Sequence, residues 1–149
     1  MKNNIIAIVS FVGLIISSCS DKCIEGKQAV PASFFVEILD ETTSENVFEN
    51  ETFSSADISV TDVIGNDIPY EFVEDVNIIQ LLPKTTINAR NIDIKITLNN
   101  QTTMITEEIN LKYNVESEIE ECYTSFKITN VLFPENPSEY VEGVFLVKI

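Results

Sequence analysis

From Ser33 onward, short runs in which apolar and polar residues alternate are separated by turn residues, the pattern of half-buried β-strands. Ser33–Leu39 is the first run, followed by a polar stretch rich in Glu, Thr, Ser and Asn. In Asp57–Asp62, Ile58 and Val60 share a face; Gly65-Asn66-Asp67 then supplies turn chemistry before Pro69–Val73 resumes extension. Val76–Leu82 is apolar and stops at Pro83. The clearest alternation is Asn91–Leu98, with Ile92, Ile94, Ile96 and Leu98 inward and Asp93, Lys95 and Thr97 outward. Asn99-Asn100 reads as a turn into Met104–Val115, where Ile109, Leu111, Tyr113 and Val115 share one face. The two runs therefore predict a hairpin. Cys122–Phe133 and Val144–Ile149 complete the set, with Pro134 and Pro137 framing a loop between them.

Seven to eight short strands and no clear helical periodicity predict an all-β fold, an antiparallel β-sandwich. Two sheets with apolar inner faces bury each other at about 10 Å separation, which is what the alternation requires. The segment Glu107–Glu121 also contains good helix formers, but its alternation through Val115 predicts a strand ending near Glu116.

The first residues follow a different pattern. Ile5–Ile16 is a continuous apolar run of twelve residues behind a single base, Lys2. A membrane-spanning helix needs about 20 residues, so this length suits the apolar core of a signal peptide. Ile16-Ser17-Ser18-Cys19 resembles the lipobox of bacterial lipoproteins: an aliphatic residue, two small residues and a cysteine. The resemblance implies cleavage before Cys19 and a diacylglycerol thioether on its sulfur, with Ile16 standing where Leu is commoner. One acyl chain holds a protein reversibly and two hold it stably. The implied organisation is a signal peptide over 1–18, a lipid-anchored tether over 19–32 and a sandwich domain over 33–149. Ser20 after the cysteine is compatible with sorting to the outer membrane.

Phe35–Asn46 resembles the opening of transthyretin-like and carboxypeptidase-regulatory-like sandwiches, in which a strand leads through an acidic, Thr-containing turn to a glycine. Here Ser44 stands in the glycine's place. The sandwich is expected to be immunoglobulin-like or transthyretin-like. A small acidic sandwich behind a lipid anchor resembles the small envelope lipoproteins of Bacteroidota.

That address changes the reading of the cysteines. If Cys19 carries lipid, Cys23 and Cys122 are left as a pair in an oxidising compartment, where a disulfide persists. Such a bridge closes a loop of about 100 residues, worth up to ~4.7 kcal/mol in the chain-entropy account. The alternatives are separate thiols or metal ligation, although two thiolates without histidine make a poor zinc site.

Charge narrows the partners. The formal net charge is −15, and loss of Lys2 with the signal leaves eight bases against 24 acids. Phosphate binding demands Lys and Arg, so a nucleic-acid partner is not expected, nor is a polybasic lipid-docking surface.

The chain contains no histidine, which removes the commonest general base, metal ligand and triad member. A carboxylate-only glycosidase needs two placed acids, and no pair stands out. The better chemical candidate is calcium: Asp62, Asp67, Glu71, Glu74 and Asp75 surround the Gly65-Asn66 turn, and hard oxygen ligands suit Ca²⁺. Their spacing matches no EF-hand, and a solvated acidic edge that deters aggregation is the competing reading. Asn50-Glu-Thr52 and Asn100-Gln-Thr102 fit the glycosylation sequon. The expectation is a non-enzymatic, lipid-anchored envelope module that meets a protein partner through loops or an edge strand. The alternative is a calcium- or small-ligand-binding envelope domain.

Overall fold

The alternating runs become nine strands in the computed structural model, which describes residues 29–121 and 123–149. Cys19, Cys23, Cys122, the signal segment and most of the tether lie outside the described residues. The strands are β1 (Phe34–Leu39), β2 (Ile58–Asp62), β3 (Tyr70–Val73), β4 (Ile78–Leu81), β5 (Ala89–Asn100), β6 (Ile105–Ile119), β7 (Thr124–Leu132), β8 (Ser138–Val141) and β9 (Val144–Lys148). They form a five-stranded sheet, β3-β4-β1-β9-β8, and a four-stranded sheet, β2-β5-β6-β7. The fold is all-β, a β-sandwich.

Every neighbouring pair of strands is antiparallel except one. β1 and β9 run parallel, from Phe35 beside Val144 to Leu39 beside Lys148. Alternation shows which face of a strand is buried but not the direction of its neighbour; the expected antiparallel β-sandwich stands, with this one parallel pair inside it. The ninth strand is β8, which lies in the stretch read as a loop. Val141-Glu142-Gly143-Val144 makes a two-residue hairpin, with φ 49° at Glu142 and 96° at Gly143. Positive φ at both central positions is the turn that matches the twist of paired strands.

The long β5–β6 hairpin places Ile94, Ile96, Leu98, Ile109, Leu111, Tyr113 and Val115 inward, all nearly inaccessible to solvent. Val36, Ile38, Ile79, Leu81 and Val147 meet them from the opposite sheet. Burying each such side chain contributes roughly 1.5–3 kcal/mol. Burial pushes the Tyr113 phenol up to about 12, and its ring packs on Phe34 at 5.6 Å between centroids. β6 continues to Ile119, beyond the predicted end, because Glu116, Ser117 and Glu118 pair with Lys127, Phe126 and Ser125 of β7. The hairpin turn lies at residues 101–104, since Asn99 and Asn100 still pair with Thr106 and Ile105. Register shifts beside Asn91 and Asn130 mark two irregularities, and both residues have φ 53°. Asparagine tolerates this left-handed conformation better than most residues.

The polar stretch between β1 and β2 is a packed loop. It buries Val47, Phe48 and Phe53 around Asn46, the one buried polar residue among those described. The Asn46 amide donates to Glu37 Oε1 at 3.2 Å and to the Asn77 carbonyl at 2.9 Å. Its oxygen accepts from the Phe48 and Glu49 amides. One side chain thereby ties the loop to β1 and to the β3–β4 turn. Nearby, Ser44 sits at φ 60°, the left-handed conformation that a glycine would hold without strain.

Two substitutions should move stability in opposite directions. Asn46→Ala leaves buried backbone groups unpaired and should cost about 2–3 kcal/mol, lowering the melting temperature by roughly 10 °C. Ser44→Gly relieves the left-handed strain and should raise stability by roughly 0.5–1 kcal/mol. Thermal unfolding followed by circular dichroism checks both signs.

Candidate functional site

The acidic residues around the Gly65 turn are held by three different pieces of backbone. Asp62 ends β2, and its Oδ1 accepts from the Ile64 and Asn66 amides, each at 2.9 Å. Its Oδ2 accepts from Asn66 Nδ2 at 2.8 Å. These bonds, led by those from Asn66, hold the Asp62 carboxyl below the ordinary 3.8. Gly65 takes φ 88° so that the chain can reverse, and Asp67 bridges back to Thr61. Glu71 lies on the outer face of β3 beside Gln80, and Asp75 lies in the turn after β3. Asp62, Asp67, Glu71 and Asp75 do not come together. Among the described residues no group of three or more acidic or cysteine side chains is placed to hold a metal ion.

Asp62 instead organises the cover of a sheet edge. β2 ends the four-stranded sheet, and its outer carbonyls are taken: Val60 O by the Ile68 amide at 2.9 Å, Ile58 O by the Tyr70 hydroxyl at 2.8 Å. Blocking an edge in this way deters pairing with another chain. At the other edge of that sheet, Val30 lies beside Ser125 of β7: its amide donates to Thr124 O and its carbonyl accepts from the Phe126 amide. The end of the tether therefore covers the start of β7.

The two outer faces of the sandwich differ in chemistry. On the four-stranded sheet, Lys95 pairs with Glu108 at 2.7 Å, Lys112 with Asp93 at 3.0 Å, and Lys127 with Glu118. The Glu118 carboxylate, bonded to Lys127, pushes its ammonium above the ordinary value. An open depression of about 600 Å³ on this face is lined by Thr61, Lys95, Asn110 and Lys112. Its charged groups already have partners, Glu135 among them, which accepts from Asn110 Nδ2 at 3.0 Å. On the five-stranded sheet, register places Phe35, Val144 and Val141 in one outward row, with Leu146 between Glu37 and Glu139 in the next. Tyr140 stands 64% exposed at the rim, its ring 4.6 Å from that of Phe145, which also meets Phe34 and Phe133.

Both sequon asparagines are already committed to structure. Asn50 Oδ1 accepts from the Thr52 amide, while Asn100 donates to Thr52 O and accepts from the Thr102 and Thr103 amides. Sequence reasoning placed the Gly65 turn correctly but missed the role of Asp62 within it. The signal was present: an aspartate two and four residues ahead of the amides it accepts is an Asx-type turn.

Acid should expose this role. Asp40 is held low by the Thr43 and Thr42 amides, and Asp62 by Asn66 and Ile64. A lowered folded-state value means that the stabilisation is complete above the unfolded value of 3.8 and is lost as pH falls through the folded value. Melting temperature should therefore fall below about pH 3.8, and the Asp40→Ala/Asp62→Ala double variant should show a shallower fall. An identical acid profile in the double variant would contradict this.

No family model, no curated protein and no solved structure matches this chain.

Proposed function

We propose that this protein is a lipid-anchored, non-catalytic module of the cell envelope, which acts by holding a sandwich surface close to a membrane. The observation that carries the reading is the position of Val30. It lies eleven residues after Cys19 and is fixed on the edge of β7. A fully extended span of that length reaches at most ~40 Å, so a lipid on Cys19 keeps the domain beside its leaflet. The same bridge favours a Cys23–Cys122 disulfide: Cys122 is three residues before Ser125, and Cys23 is seven before Val30. The ionisable side chains described above are used in turns and surface pairs, which favours binding through shape over catalysis. No observation favours the calcium-binding alternative over this reading.

Labelled palmitate should incorporate into the wild-type chain and not into Cys19→Ala, and that variant should leave the membrane fraction. Unchanged membrane association of Cys19→Ala would remove the basis of the proposal. In the purified mature protein, alkylation under denaturing conditions should modify neither Cys23 nor Cys122 until a reductant is added. Immediate modification of both would contradict the disulfide.

A further inference from the structure

Four strands end the two sheets, and they are not equally closed. β2 is sealed by Ile68 and Tyr70, and β7 is capped at its start by Val30 and interrupted by the irregularity at Asn130. β3 is a short edge of four residues whose Tyr70 and Phe72 pack inward, with Glu71 exposed on its outer face. β8 differs, because all four of its residues are exposed; among the described residues no strand lies beyond it. Its ladder to β9 fixes which groups are free. The Lys148 amide donates to Pro137 O at 2.9 Å. Hydrogen-bonding direction alternates along an antiparallel strand, so Glu139 and Val141 also turn their backbone groups to β9. The amides and carbonyls of Ser138 and Tyr140 then point outward.

Beside this edge lies an open depression of about 210 Å³ lined by Pro137, Ser138, Glu139, Leu146 and Lys148. It opens on the outer face, where Glu139 and Leu146 are neighbours in register. At the opposite rim, Tyr140 and Val141 are 64% and 43% exposed. The edge thus offers outward backbone groups, a hollow of Pro137 and Leu146 flanked by the Glu139 carboxylate and the Lys148 ammonium, and an exposed aromatic ring. These are the elements of strand addition, in which backbone bonds supply affinity and alternate side chains supply specificity.

We propose that β8 accepts an extended protein segment that alternates basic and apolar side chains. The inference rests on the reading of the protein as an interaction module and names the partner's chemistry. A lysine or arginine placed opposite Glu139 lays its methylenes over Leu146 and Pro137 and brings its charge to the carboxylate. The alternate apolar side chains meet Tyr140 at the rim. A net charge of −15 favours a basic segment over an acidic one. A second copy of this chain is the poorer occupant, because two β8 edges paired antiparallel about Glu139 would set that carboxylate against its counterpart, and each copy carries the same net charge of −15.

The test uses the purified mature protein and two short labelled peptides, one alternating lysine with valine and one alternating glutamate with valine, read by fluorescence anisotropy. The lysine peptide should bind and the glutamate peptide should not. Ser138→Pro removes an outward amide without touching the β9 ladder or any charge, a change that edge strands tolerate. It should weaken lysine-peptide binding roughly tenfold with an unchanged melting temperature. Glu139→Lys, on the exposed outer face, should weaken the lysine peptide and admit the glutamate peptide even if Ser138→Pro fails to fold. Equal binding of both peptides, no binding of either, indifference to Glu139→Lys, or dimerisation through β8 overturns the proposal. A photo-crosslinking residue at Tyr140 or at Thr97, used in cells, separates the two levels of the argument. Adducts at Thr97 alone overturn the β8 site and leave the interaction module standing, whereas adducts at neither position overturn the module itself.

Discussion

β1 and β9 lie side by side, Phe35 against Val144 and Leu39 against Lys148, although almost the whole described chain separates them. Because both are interior strands of the five-stranded sheet, that sheet is continuous only when the late part of the chain has joined the early part. β9 brings Val147 into the core and carries β8 as its hairpin partner. Phe145, on the same strand, links Phe34 of β1 to Phe133 after β7. The β5–β6 hairpin supplies much of the buried apolar surface by local pairing. Covering it depends on this one long-range pair, whose closure entropy must be overcome before its contacts can form.

The same dependence explains which parts of the fold were legible in the sequence. Strands were visible wherever a period of two met β-branched residues, as in Ile92–Leu98 and Ile109–Val115, because each face of a strand reports its own burial. The direction of β9 relative to β1 was not visible, since alternation is the same beside a parallel or an antiparallel neighbour. β8 was hidden because all four of its residues are exposed and show no alternation of burial; only the Glu142-Gly143 pair marked its turn. Val47, Phe48 and Phe53 were hidden for another reason. They are organised by the Asn46 amide, whose partners Glu37 and Asn77 lie on other elements. The candidate metal residues were close in sequence, yet Asp62 turns one oxygen to backbone amides and the other to the Asn66 side chain, while Glu71 faces outward on another sheet.

A common theme connects these features. Polar side chains here repeatedly substitute for regular backbone pairing: Asp62 in the turn that covers β2, Asn46 in the loop after β1, Asn100 at the hairpin end. A chain with few glycines obtains its reversals from asparagine, serine and glutamate at positive φ. Irregular segments are thereby fixed, and two of the four sheet edges, β2 and β7, are sealed or interrupted. The fully exposed edge, the strand carried by β9, is the consequence of how the early and late strands meet.

Native-state hydrogen exchange tests the dependence on β1–β9 pairing most directly. The amides of β1 and β9 should exchange with the same opening free energy as those in the centre of the β5–β6 hairpin, through one cooperative unfolding event. Exchange of β9 and β1 through a smaller, separate opening, with β5 and β6 still protected, would show that the hairpin core stands without the closure.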